Sequence, residues 1–402
     1  MSTKVLVSLW ALVAVLFVAV LKVRDAQERP IEHVSSLADG DVLLEKLDSS
    51  KVATLEFRTS EHEFELKLDD GKWLAPEKGG FPADADRLKR QMGDLFAAKV
   101  THPVQAGEKY YDRFGVAGGD SLAEDAIVLT FKDAEGEVLE TLFLGDLIEA
   151  STQGLMGGSR NVGRRVRLSS EPNTIYSLKD TFMSFSDDLQ SWLKKDFIKV
   201  QGLKSVKVEA EDQSWSVVRE SEEADFELQN LPEGKQAKAS EMTSFKRLLS
   251  SARFNSVLGK QTWDDWEKEN SDVSTRRAKL QTFEGFEYIL NFAPQDSEDT
   301  NGDYVLSVSV SAELAKERKA EKDETEEETK RADKKFAEER EQFEQKLAAE
   351  KACHPYLYLV SKSTLGSLLD DLETLTEEKK EDIPNEEATD EVPEMLERVE
   401  EE

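Results

Sequence analysis

Cysteine is almost missing from this chain: Cys353 stands alone in 402 residues. That excludes an intramolecular disulfide framework, a Cys-x-x-Cys redox site and a multi-cysteine zinc site. Histidine is scarce as well. His33, His62, His102 and His354 are scattered, which argues against a histidine-rich metal centre. Positive charge is in deficit, with 53 Lys and Arg against 84 Asp and Glu, a formal net charge of −31. A chain of that sign repels a phosphate backbone, so nucleic acid is not an expected partner. No Gly-x-Ser-x-Gly elbow occurs, and nothing is spaced as nucleophile, base and acid together. We therefore expect no cofactor and no enzymatic activity.

Long apolar runs are also rare, and the exception is informative. Val5 to Leu21 reads VLVSLWALVAVLFVAVL, with Ser8 as its single polar residue and Lys4 and Lys22 at its ends. Seventeen residues at a rise of about 1.5 Å reach about 25 Å as a helix, the short end for a bilayer. Lysines at both ends can snorkel and extend that reach. Three readings stand: an uncleaved single-pass anchor over residues 1–24, a cleaved signal peptide, or a buried core helix, for which little else here is apolar enough to surround it. No small-x-small cleavage site follows the run, which favours the anchor. Lys22, Arg24 and Arg29 lie beyond it, so the positive-inside count leans towards a cytoplasmic C-terminal part. That rule is weak where a long domain follows.

A polar linker, 25–50, leads into two similar stretches, 51–200 and 201–376. In the first, Val52–Arg58 and Glu63–Leu68 alternate apolar and polar residues, the pattern of half-buried strands. Asp69-Asp70-Gly71 turns the chain into Lys72-Trp73-Leu74. Asp84 caps a helix with Leu88, Met92, Leu95 and Phe96 on one face. Strands follow at Ala126–Phe131, Val138–Leu144, Arg164–Leu168 and Thr174–Leu178. A second amphipathic helix is expected from Phe182, Phe185, Leu189, Trp192 and Leu193.

The second stretch repeats this order. Val206–Ala210 and Trp215–Val218 form a hairpin, and Phe226–Leu228 a short strand. Ser240 caps a helix carrying Phe245, Leu248, Leu249 and Ala252. Strands are expected at Ala278–Thr282, Tyr288–Phe292, Tyr304–Val310 and Tyr356–Val360. A helix with Leu365, Leu368, Leu369, Leu372 and Leu375 closes it. The order pairs Trp73 with Trp215, and Tyr176 with Tyr356 or Tyr358. Strand runs broken by helices, without regular β-α alternation, indicate an α+β class with antiparallel sheets. The reading is two sheet-plus-helix repeats behind an N-terminal transmembrane helix.

Two charged additions fall outside the repeat. Residues 312–352 hold strong helix formers with no Gly or Pro, and favourable Glu326–Lys330 and Glu327–Arg331 spacings. The stripe Ala332, Phe336, Phe343, Leu347 is too sparse for a long coiled coil. A solvated projecting helix, a hairpin broken near Thr325, and a partner-binding arm all fit. The tail 377–402 carries 13 acids and 3 bases. Such core-poor acidic sequence is expected to stay disordered.

Three local patterns bear on chemistry. Cys353-His354 are adjacent, and on an extended chain they point to opposite faces, so they form no dyad. The segment Ser297–Asp303 fails as a calcium loop at both ends, and its Asn301-Gly302 reads as a hairpin turn. The run Gly154–Arg167 lacks the spacing of a phosphate-binding loop. Its Arg160, Arg164, Arg165 and Arg167 are nevertheless the densest basic cluster in an acidic chain. They are the candidate partner-binding residues, for a lipid headgroup or an acidic protein surface. The alternative is a guarded edge strand.

Several motifs together resemble one family. A strand pair leads to Gly71-Lys72-Trp73-Leu74, and Pro82-Ala83-Asp84 opens a Leu-rich helix. Tyr111-Asp112-Arg113-Phe114-Gly115-Val116 forms a Tyr-Gly turn, with Val116 where the family has Leu. Leu144-Gly145, Ile175-Tyr176-Ser177-Leu178 and Trp192-Leu193-Lys194-Lys195-Asp196 follow in order. The sequence resembles the domain-of-unknown-function family 4340, well over 40–260 and through the repeat beyond; the charged helix departs from it. The resemblance implies a bacterial, single-pass, membrane-anchored protein with its repeat domain in the periplasm. It implies a non-enzymatic accessory or scaffold role beside an ABC-type transporter, and brings no site residues with it. The alternative is an envelope ligand- or polymer-binding sensor with its site in the groove between the repeats.

Overall fold

The computed structural model describes residues 36–119, 122–151, 159–211, 213–296, 302–318 and 324–379. The chain divides into two compact units, Met1–Lys195 and Asp196–Glu402. The expected membrane segment, 5–21, lies outside the described residues. Among the described residues, no helix is long and apolar enough to cross a membrane.

The first unit is built on one nine-stranded sheet. Its strands are β1 (Thr54–Arg58), β2 (Glu63–Asp69), β3 (Lys72–Ala75), β4 (Phe81–Pro82), β5 (Val100–Gln105), β6 (Ile127–Lys132), β7 (Val138–Ser151), β8 (Ser159–Leu168) and β9 (Thr174–Leu178). Their order across the sheet is β4-β3-β2-β1-β6-β7-β8-β9-β5. Neighbouring strands run antiparallel throughout. Asp70 and Gly71 both take positive φ at the β2–β3 turn, the conformation an Asp-Gly hairpin turn requires. One face of the sheet is apolar and buried, with Leu55, Phe57, Leu66, Leu129, Phe131, Leu144 and Val166. Helix α1 (Ala85–Phe96) buries Leu88, Met92 and Leu95, and the Asp84 side chain caps it through the Arg87 N–H at 2.9 Å.

The second unit repeats the plan. Its strands are β10 (Leu203–Ala210), β11 (Ser214–Val218), β12 (Glu227–Leu228), β13 (Lys235–Ala237), β14 (Ser256–Lys260), β15 (Arg276–Thr282), β16 (Phe286–Pro294), β17 (Asp303–Ala312), β18 (Tyr356–Ser361) and β19 (Thr376–Glu378). The main sheet runs β12-β11-β10-β15-β16-β17-β18-β14. Read strand for strand, this is the order β3-β2-β1-β6-β7-β8-β9-β5 of the first unit. The two sheets share one topology, α+β in class and antiparallel throughout. Trp73 and Trp215 are not equivalent, however: Trp73 lies on the third strand of its unit and Trp215 on the second.

Three expected helices are shorter than their apolar spacing suggests. The segment from Phe182 to Leu193 holds only a 3-10 turn, Leu189–Trp192. Its serines and aspartates bond locally instead: Asp188 accepts from the Gln190 N–H at 2.9 Å, competing with a helix. Helix α2 (Ala239–Ser244) gives way to the 3-10 turn Phe245–Arg247, and Leu249 has φ of +54°. Lys238, not Ser240, occupies the cap position. The Leu365–Leu375 stretch breaks at Gly366, with φ of +49°, into short turns.

The charged insertion does form a helix, α4 (Glu326–Lys351), after α3 (Trp263–Glu269). Its 26 residues span about 39 Å. Thr325 and Glu328 form a reciprocal capping box that starts it. In the rest of the expected 312–352 span, Ala312 ends β17 and 313–318 is irregular, while 319–323 lie outside the described residues. The acidic tail also begins later than expected. Thr376–Glu378 are a strand paired with Lys235–Ala237, and residues 380–402 lie outside the described residues.

Candidate functional site

Each sheet has a second face, opposite its apolar core, and the two units treat that face differently. In the first unit the connection from β5 to β6 carries Tyr111–Gly115. Phe143 and Arg167 sit opposite each other on β7 and β8, and Val128 lies beside Phe143. Arg167 is buried. Its guanidinium lies 3.7 Å from the Phe143 ring centroid and 4.1 Å from that of Tyr111. Its Nη2 donates to the Val116 carbonyl at 2.9 Å and its Nε at 3.1 Å. Burial lowers the pKa of this arginine, and Tyr111 and Glu108 offset the effect. The Tyr111 hydroxyl donates to the Pro172 carbonyl. Gly145 permits the close approach, since a Cβ there would meet the Phe114 carbonyl oxygen and lie 2.6 Å from Val116 Cγ1. The Tyr-Gly turn is thus clamped onto the sheet.

The predicted basic cluster is divided by strand alternation. Arg165 and Arg167 lie on the turn's face, with Arg165 5.8 Å from the Phe114 ring and donating to the Ser177 hydroxyl. Arg164 is buried on the other side. It donates to the carbonyls of Gly145 at 2.8 Å, Thr181 at 3.1 Å, and Asp125. Only Arg160 is exposed. Arg164 and Arg167 spend donors on backbone carbonyls and so act as pins within the first unit. Nearby, Asp146 has its pKa raised, first by burial and then by Asp125, with Arg164 and Arg165 opposing.

In the second unit the same connection, from β14 to β15, carries helix α3. Trp266 packs with Ala293, Val305 and Leu357, covering only one end of the face. Beyond it lies an open groove of about 830 Å³, within the range of ligand sites. Asn291 and Ser307 are cross-strand partners with Arg277 beside Asn291. Both this row and the Val128–Phe143–Arg167 row lie one residue from a matching aromatic pair, Leu306–Tyr358 and Val166–Tyr176. On that register, Asn291 and Ser307 stand where Phe143 and Arg167 stand. The Asn291 amide donates to the Ser307 hydroxyl at 3.1 Å, and Ser309 and Ile289 continue the floor.

The walls are Trp263, Asp264 and Asp265 on one side and His354 and Pro355 on the other, with Lys260 at the edge. Trp263 is half-buried and held against Trp266, with ring centroids 4.9 Å apart at 35°. Thr262 donates to Asp265 at 2.6 Å, which lowers the aspartate's pKa. Gln261 donates to Glu269 at 3.0 Å. Cys353 is buried while His354 is exposed, so the pair diverges and His354 alone reaches the groove. A smaller cleft of about 330 Å³ in the first unit is lined by Arg164, Asp125 and Asp187 among others. Ligand atoms of Glu61, His62 and Asp187 come within 4.8 Å of one another there, all three residues exposed. Exposed acidic groups commonly lie this close without an ion.

None of the groove residues belongs to the basic cluster singled out in the sequence. Their signal was present in the alternation: the solvent face of YILNF and SVSVS offers Ile, Asn and Ser, not the Lys and Glu that solvated strands favour.

A family model described as "Domain of unknown function (DUF4340)" matches residues 73–273, half of the chain. The chain belongs to this family. The match includes the Tyr-Gly turn, its Arg167 clamp and helix α3, so both covers of the second face fall within it. No curated protein and no solved structure matches the chain.

Proposed function

We propose that this chain is a non-enzymatic accessory protein of the bacterial cell envelope. Residues 5–21 anchor it in the inner membrane, the two units lie in the periplasm, and its partners are subunits of an ABC-type transporter. Family membership and the apolar N-terminal run support this reading. The observation that carries it is a difference at one matching row of the two second faces: the Tyr-Gly turn covers the Phe143–Arg167 row in one unit, and the Asn291–Ser307 row lines an open groove in the other. The open face is a binding surface, and it also favours the second reading, a ligand- or polymer-binding sensor. On that reading the site lies within the second unit.

The test is affinity purification of the tagged full-length chain from its native membranes in mild detergent, followed by mass spectrometry. Stoichiometric recovery of permease or ATPase subunits is the expected result. Recovery of the intact chain alone overturns the accessory role. Deleting 313–351 tests whether α4 is a partner arm; unchanged recovery assigns binding elsewhere.

A further inference from the structure

We propose that the groove on the open face of the second unit binds an oligosaccharide. The inference rests on reading that face as a binding surface and adds the chemical class of its occupant.

The shape comes first. Arg277 lies on β15 and Lys260 on β14, with β16, β17 and β18 between them. Four inter-strand steps give about 19 Å. The groove therefore crosses the strands and suits a chain of several small rigid rings better than one compact metabolite.

The chemistry of the lining narrows the class. Trp263 offers an aromatic surface already fixed by Trp266, so little side-chain entropy is lost when a ring lies against it. The floor is uncharged and hydrogen-bonding. Asn291 spends one N–H on Ser307 and keeps its second N–H and its carbonyl for a ligand. The Ser309 hydroxyl lies beside them. Charges of both signs ring this floor: Lys260 and Arg277 against Asp264, Asp265 and Glu269. That near balance, in a chain of net charge −31, suits a neutral ligand. A polyanion would face three carboxylates, and a polycation two cations. An apolar helix would leave the second Asn291 N–H and the Asn291 side-chain carbonyl desolvated with nothing to bond, which is costly. A sugar chain meets all three features. It has an apolar C–H face for Trp263, hydroxyls for the floor and no net charge.

The experiment is isothermal titration calorimetry on the full chain, in a detergent without a sugar headgroup. The probes are chitotetraose, cellotetraose and maltotetraose, with tetra-alanine as the peptide control. At least one tetrasaccharide is expected to bind at millimolar Kd or tighter. Asn291→Leu and Trp263→Ala are each expected to weaken it at least tenfold, and Arg160→Ala to leave it unchanged. Should Trp263→Ala lower the unfolding midpoint, Asn291→Leu decides. No binding of any tetrasaccharide, binding that survives Asn291→Leu, or preference for the peptide overturns the proposal. Failure here with transporter subunits still recovered removes the sugar and keeps the accessory role; binding without those subunits does the reverse.

Discussion

The Tyr-Gly turn of the first unit and helix α3 of the second occupy the same place in the chain order. Each leaves an edge strand and returns to the strand beside the first hairpin. The turn is sealed down by Arg167 between two aromatic rings and a backbone carbonyl. The helix reaches its sheet through Trp266, with Trp263 and Val273 packed against the same cluster. The difference teaches that a repeated frame can hold its stability in one copy and its recognition surface in the other. In this chain the buried arginines complete backbone hydrogen bonding, while the open polar floor is built from Asn and Ser.

The largest effect that can break this comparison comes from Arg167. Replacing it with Ala leaves the Val116 carbonyl without its charged donor and removes both ring contacts. A loss of about 3 kcal/mol is expected in urea unfolding of the full chain. Ser307→Ala, at the matching place in the second unit, should cost under about 0.5 kcal/mol. Equal costs would mean that the two faces are built alike.

Next is Glu350, the buried anchor of α4. It accepts from the Lys199 N–H at 2.8 Å and the Tyr288 hydroxyl at 2.8 Å. Glu350→Ala orphans both donors and should destabilise by about 2 kcal/mol. Burial raises the carboxyl's pKa above its ordinary 4.5, against the pull of Lys199 and Tyr288. The folded state therefore holds this proton more tightly than the unfolded chain does. Below 4.5 both states are protonated and no penalty exists; as pH rises through the raised value the penalty appears in full. Wild type should lose stability relative to Glu350→Gln over that rise, as read by denaturation midpoints. A difference flat in pH would contradict the burial.

Gly145→Ala sharpens the same comparison. Its Cβ would press on the Phe114 carbonyl and Val116, and a cost of about 1 to 2 kcal/mol is expected. The smallest effect belongs to exposed Arg160. Arg160→Glu should change stability by under about 0.5 kcal/mol, and a larger loss would give the exposed arginine a structural role it lacks here.

Much of the frame was legible in the sequence. The alternation in Glu63–Leu68 and the Asp-Gly turn fix a hairpin by local physics alone, and Asp84 marks the start of α1. The lost helices had the right apolar spacing and the wrong backbone: Leu249 and Gly366 take positive φ, which ends a helix whatever the pattern around it, and Asp188 bonds locally in the Phe182–Leu193 segment. The candidate site was less legible because burial is a tertiary property. Charge count picked out Arg164 and Arg167, yet their donors are spent inside the protein. The groove residues are chemically ordinary, and only the uncovered face makes them a site.

The most direct test of that uncovered face is hydrogen–deuterium exchange on the full chain, with and without saturating chitotetraose. Slower exchange confined to residues 260–265, 287–291, 307–309 and 354–356, with the first unit unchanged, is the predicted result. Protection around Tyr111–Val116, or none in the second unit, would contradict the assignment of recognition to the open sheet.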